Sequence, residues 1–179
     1  MSNSAILSLC QRYRFSLERE LGPSGIVVAF FGINPSTADA TKNDLTIKKM
    51  MGFGRACGAR RILVGNLSPL RATDVSELSS TPVPLGILMK NEAHLQSLIA
   101  RADLLVPCWG DRKKAMVVAP LMDELLARLR TSGKPVKHLG LTAGGDPRHP
   151  ARIGYATSLT EFAPAAAVST ESQTLESAA

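Results

Sequence analysis

The sequence predicts an α/β protein, a three-layer α/β/α sandwich whose sheet has four parallel strands and one N-terminal antiparallel strand. Three observations predict it. Short apolar runs recur along the chain as IVVAFFGI (26–33), RILVGNL (61–67), DLLVPCW (103–109) and VKHLGL (136–141). Segments with helical spacing of apolar residues separate them, and such alternation implies right-handed crossovers and a sheet covered on both faces. The 179 residues, 45% hydrophobic and 20% charged, suit one folded core rather than two. With 14 Gly and 11 Pro scattered rather than periodic, collagen-like, coiled-coil and wholly disordered chains are excluded.

Taken in order, residues 12–19 (RYRFSLER) alternate Arg12, Arg14, Ser16 and Glu18 with Tyr13, Phe15 and Leu17. This is the period-two pattern of a strand with one buried face. The four-residue turn Gly22-Pro23-Ser24-Gly25 predicts an antiparallel hairpin between this strand and the next. IVVAFFGI is apolar throughout and reads as a central strand buried on both faces. Residues 44–58 carry Leu45, Ile47, Met50, Met51, Phe53, Ala56 and Cys57 at near-helical spacing, with Asn43 or Asp44 as N-cap and Gly58 as the stop. Two further helices are expected over 87–101 and about 114–131, with Pro120 in the first turn of the latter or kinking it. Residues 1–162 form the expected domain. The remainder, 163–179, is small and polar without aromatic anchors and predicts a disordered tail.

Twenty-one Lys and Arg against 15 Asp and Glu give a net charge of +6. Two acids and no base lie beyond residue 162, so the body carries 21 bases against 13 acids, a surplus of eight. Such a surplus favours a polyanionic partner, nucleotide or nucleic acid, although a solvated basic surface accounts for it as well. No run approaches the ~20 apolar residues that cross a bilayer, and the first residues are too weakly apolar for a secretory signal. A cytoplasmic protein without a membrane partner is expected. Cys10, Cys57 and Cys108 are odd in number and lack any CxxC, so they are read as reduced and mostly buried. His94, His138 and His149 have no paired metal-ligand spacing. No metal or cofactor is expected, and the sequence does not define an oligomeric state.

In open parallel sheets, ligands bind beyond the carboxyl ends of the strands. That rule selects the segments 32–39, 66–74, 108–114 and 142–150, all rich in polar residues and glycine. The sharpest is Gly32-Ile33-Asn34-Pro35-Ser36-Thr37-Ala38-Asp39, where Pro35 restrains Asn34 to an extended backbone and aims its amide; the same residues also suit a turn opening a helical connection. His149 lies away from any apolar periodic face and is a candidate general acid or hydrogen-bond donor. His138 is expected in the core and His94 on the surface. Asn66 ends a strand, where its amide reads a base edge or satisfies a loop. Thr73 and Asp74 share its loop. Trp109 stacks on a base or packs at the sheet edge. Arg71, Arg112, Lys113, Lys114, Arg148 and Arg152 together could surround a phosphate, or each could be merely solvated. No GxGxxG and no GxxxxGK[ST] occurs, which disfavours a P-loop ATPase.

The succession RYRFSLER, GINPSTADATKNDLTI, GNLSPLRATD, CWG and LTAGGDPRHP, over about residues 10–155, closely resembles an uncharacterised bacterial and phage family, domain of unknown function 1643. A more distant resemblance is to the uracil-DNA glycosylase superfamily. Gly32-Ile33-Asn34-Pro35 is similar to its first motif, His149-Pro150 to its last, and Asn66 falls where that superfamily places the asparagine that recognises the pyrimidine. The resemblance implies the same α/β/α fold and hydrolysis of an N-glycosidic bond on a flipped nucleotide. It makes Asn34 and His149 catalytic, through water positioning and stabilisation of the departing base. It makes Asn66 the reader of the base edge, and the four loops make Gly32, Pro35, Ser36, Asp39, Asn66, Arg71, Thr73, Asp74, Trp109, Arg112 and Arg148 candidates for substrate binding. Ala151 replaces the serine of the last motif, and no duplex-penetrating loop follows it. Two other functions fit the same loops: a non-catalytic nucleotide or nucleic-acid binding module, and a hydrolase or transferase of small phosphorylated metabolites.

Overall fold

Residues 3–162 are described by a computed structural model, and within them strands and helices alternate much as the apolar periodicity predicts. The expected tail at 163–179 lies outside the described residues. Strands β1 (Ser4–Leu7), β2 (Arg14–Glu20), β3 (Ile26–Gly32), β4 (Ala59–Asn66) and β5 (Leu104–Pro107) form one mixed sheet in the order β1-β2-β4-β3-β5. The β3–β4 and β3–β5 pairs are parallel, whereas β1–β2 and β2–β4 are antiparallel.

Four expectations need correction. The first is the hairpin, because β4 inserts between β2 and β3. β3 is apolar on both faces and takes two parallel neighbours, so the Gly22–Gly25 turn steps around β4: Leu21 and Gly22 both donate to the Arg60 carbonyl, and Ile26 donates to that of Gly58. Gly25 has φ +118°, and a Cβ there would stand 2.1 Å from the Gly58 oxygen. The second is the edge. β1 covers β2, so β2 is an internal strand.

The third correction concerns which way β2 faces. Its register against β1 slips where Ile6 pairs Ser16 but Leu7 pairs Arg14. A bulge of this kind turns the following side chains to the other face. Tyr13 and Phe15 accordingly pack in one apolar cluster and Leu17 in the other, and Arg14 and Ser16, read as solvent-facing, are buried. Fourth, the last apolar run supplies only an isolated parallel bridge, Leu105 to Val136. Pro135 has no N–H to extend the ladder. The chain continues as β6 (Lys137–His138), antiparallel to β7 (Thr160–Glu161), then bends away at Gly140, φ +91°. The sheet is therefore mixed rather than mostly parallel.

The helices fall where their apolar spacing places them. Helix α1 (Leu45–Ala56) is capped by Asp44, whose carboxylate accepts from Ile47, and it ends before Gly58 at φ +73°. It buries Ile47, Met50 and Phe53 against Val28, Phe30, Ile62, Val64 and Val106 on one face of the sheet. Helix α2 (Glu77–Ser80) is a single turn that the periodicity did not register. Helices α3 (Leu85–Arg101) and α4 (Ala119–Thr131, with Pro120 in its first turn) bury Leu95, Leu98, Met122 and Leu125 against Val27, Ala29, Phe31 and Leu105 on the opposite face. Strict alternation along β3 feeds both layers. His138 is buried as expected, while His94 is half-buried and stacks on Phe15 at 5.3 Å. Of the three free cysteines only Cys108 is buried; Cys10 is exposed. Among the described residues no helix is long and apolar enough to cross a membrane.

Candidate functional site

The connection after β3 runs to β4 through α1 on one face, and that after β5 runs to β6 through α4 on the other. Their divergence opens a crevice at the carboxyl ends of β3 and β5, the position at which such sheets bind ligands. A cleft of about 630 Å³ occupies it, within the usual range for small-molecule sites. All four loops selected from the sequence contribute to its wall.

Gly32, Asn34, Ser36, Asn66, Thr73, Trp109, Arg148 and His149 line this cleft together. Pro35, Asp39, Arg71, Asp74 and Arg112 do not, and their bonds account for their positions. The Pro35 carbonyl accepts from Ala72, joining the loops after β3 and β4. The Asp39 carboxylate accepts from Thr41 and Lys42, bonds that hold it down to about 2 and shape the turn before α1. Asp74 accepts from the Ser76 amide. Arg71 donates to the carbonyls of Gln11, Ser36 and Thr37, stapling three segments. Arg112 pairs with Asp123 at 2.8 Å and with the buried Asp146 at 2.9 Å; these bonds hold its guanidinium more firmly charged than usual. Asp146 also accepts from the Arg112 amide, which braces the loop after β5 against the loop after β6.

Asn34, Asn66 and His149 each have one end tied by the protein. The Asn34 Nδ2 donates to the carbonyls of Ala72 (2.8 Å) and Pro35 (3.1 Å). Carbonyls only accept, so the amide nitrogen must face them and Oδ1 is left as an acceptor. Asn66 is held the opposite way. Arg14 Nη2 donates to its Oδ1 at 3.1 Å, leaving Nδ2 as a donor beside Gly32, where a Cβ would stand only 2.9 Å from it. From behind, Asn91 on α3 donates to the Asn66 and Leu67 carbonyls and fixes the strand end. His149 Nδ1 accepts from the Ala151 amide, so the neutral ring carries its proton on Nε2. The ring is open to solvent at the cleft mouth but walled by protein on its other sides. Loss of hydration pushes its pKa below the ordinary histidine value, Asp44 opposes that shift, and Lys114 and Arg152 reinforce it.

Two wall residues had no functional reading in the sequence. Arg14 is 2% exposed; it also donates to the Ala38 carbonyl, and burial brings its guanidinium down to about 10. Its place in an alternating polar register gave the opposite signal. Asp44 was legible as a helix cap, and it places a carboxylate on the wall facing Arg14 and His149. Among the described residues no three His, Cys, Asp or Glu side chains converge as metal ligands would. A family model described as Protein of unknown function (DUF1643) matches residues 14–151. No curated protein and no solved structure matches the chain.

Proposed function

The chain belongs to the family described as Protein of unknown function (DUF1643), and we propose that it is a glycosylase-like hydrolase that cleaves the N-glycosidic bond of a nucleotide or a nucleic acid. One observation carries this reading: Asn34, Asn66 and His149 line one cleft with complementary free ends, an acceptor on Asn34 and donors on the other two. Hydrolysis of such a bond needs an acceptor to orient water on one side of the sugar carbon and donors on the base that leaves from the other. The likeness of Gly32-Ile33-Asn34-Pro35 and His149-Pro150 to the uracil-DNA glycosylase motifs supports the same assignment and, with it, a fold of that kind.

In this mechanism the Asn34 Oδ1 accepts a hydrogen bond from the attacking water. An amide does not remove the proton, so it passes to the Asp44 carboxylate. The C–N bond breaks with its electron pair going to the base. The His149 Nε2–H and Asn66 Nδ2 donate to the developing negative charge.

Mass-spectrometric detection of a released base, after incubation with nucleotides and modified or unmodified oligonucleotides, tests the proposal. Asn34→Ala and His149→Ala are expected to abolish release while each protein still unfolds cooperatively, with the first losing about 1 kcal/mol for its bond to Ala72. No base released from any substrate, or unaltered release by both variants, overturns it. Salt-sensitive nucleotide binding without release identifies a binding module instead.

A further inference from the structure

Six bases occupy the loops around the cleft, and the tertiary structure divides them. Arg71 is committed to three carbonyls and Arg112 to two carboxylates. Lys113 does not line the cleft. Lys114, Arg148 and Arg152 do line it, and among the described residues no carboxylate or carbonyl accepts from their side chains. The cleft's own carboxylates accept from backbone amides, Asp44 from Ile47 and Ala38 and Asp111 from Lys113, and none of them pairs with these three cations. Three like charges line one cleft, and two of them, Lys114 and Arg152, already oppose a proton on His149 by charge repulsion. A bound anion relieves that repulsion.

The depth of the cleft has a matching polarity. Arg14 Nε and Trp109 Nε1 are buried without partners, on side chains 2% exposed that both line the cleft. With Asn66 Nδ2 they bring three donors to the lining, beside the Asp44 carboxylate. Buried donors are costly unless a ligand supplies acceptors. The three cations are exposed, at the mouth, so the cleft runs from an acceptor-seeking floor to an anion-seeking rim.

We propose that Lys114, Arg148 and Arg152 form a phosphate subsite and that the cleft takes a free nucleoside monophosphate, with its base on the Asn66 and Trp109 floor. The proposal rests on the nucleotide part of the reading above and goes beyond it by choosing the monomer. The cations gather around one cleft rather than along a groove that would track a strand. The segment after His149 folds back onto α1, where Lys49 donates to the Ile153 carbonyl at 2.8 Å and Tyr155 to that of Lys48 at 3.3 Å, so it does not project to part a duplex.

Calorimetry with UMP, IMP, CMP and AMP, each beside its nucleoside, tests this on the full chain. At least one monophosphate is expected to bind tenfold or more tightly than its nucleoside. The triple variant Lys114→Ala, Arg148→Ala, Arg152→Ala, which removes only exposed and unpartnered side chains, is expected to erase that difference with Tm unchanged. Equal binding of nucleotide and nucleoside, or full affinity in the triple variant, overturns the subsite. Binding of a twelve-residue single strand with no binding of any monomer overturns the monomer assignment. Bound monophosphate without base release leaves the subsite standing and sinks the hydrolytic reading, whereas base release from strands alone does the reverse.

Discussion

Arg14 and Asn66, 52 residues apart in sequence, share a buried hydrogen bond of 3.1 Å at the floor of the cleft. A guanidinium has donors only, so the bond fixes which way the Asn66 amide points. Asn66 thereby becomes a one-way donor. For a nucleotide bound as proposed, a base presenting a keto oxygen at that edge would be accepted, and one presenting an amino group would meet donor against donor.

Asn66→Asp separates this role from a structural one, because it keeps an acceptor for Arg14 and removes the donor. The wild-type protein is expected to favour UMP over CMP, and IMP over AMP, by about tenfold, in line with ~1–3 kcal/mol for a matched polar contact. The variant places an acceptor where the donor stood, so each ratio should fall through one and reverse while the protein remains folded. Arg14→Met strands the Asn66 and Ala38 oxygens and should cost about 2–4 kcal/mol in chemical denaturation. Unchanged selectivity in Asn66→Asp would remove Asn66 from base recognition.

Burial lowers the pKa of all three histidines, His94, His138 and His149. The unfolded chain then binds protons more readily than the folded one near pH 6, and stability rises with pH there. Stability is full above the ordinary histidine value of about 6.5 and declines as pH falls through it. A second decline begins below about pH 3.9, as Asp39, Asp74 and Asp123 lose their depressed pKa values, with Asp39 the last at about 2. Thermal melts from pH 7.5 to 5.0 should show Tm falling, and His138→Gln should flatten the slope. A level profile would contradict the burial of these rings.

Gly65 on β4 faces α3, where a Cβ would come within 2.7 Å of Leu95 and 2.8 Å of Leu98. Both side chains belong to a filled core. Gly65→Ala should therefore destabilise by about 1–3 kcal/mol through overpacking, while Gly86→Ala, at an exposed position with nothing within 4 Å, should not. Comparison of the two denaturation midpoints checks the contact.

Asp146 is 1% exposed and accepts from both the amide and the side chain of Arg112. Asp146→Ala removes these charge-assisted bonds, at a cost of about 2–3 kcal/mol, and loosens the loop that carries Arg148 and His149. Hydrogen exchange should rise across 140–149 more than across α1. Equal protection in both segments would show that the brace is not what holds the loop.

The elements of this protein, and the rim that carries its cleft, were legible in the sequence because both follow from local rules. Apolar periodicity marks β2 to β5 and the helices α1, α3 and α4, the Asp44 and Gly58 caps bound α1, and strand C-termini locate the loops on which Asn34, Asn66 and His149 meet. Strand order was not legible. The insertion of β4 between β2 and β3, and the bulge that separates Phe15 from Leu17, depend on pairing between distant segments. The same holds for charge. Arg14, Arg71 and Arg112 look alike in sequence to Lys114, Arg148 and Arg152, yet partners as many as 60 residues away claim the first three. Only tertiary structure decides which cations are spent on carbonyls and carboxylates of the fold, because an ion or hydrogen-bond pair is chosen by proximity in space, and that leaves the other three facing the cleft.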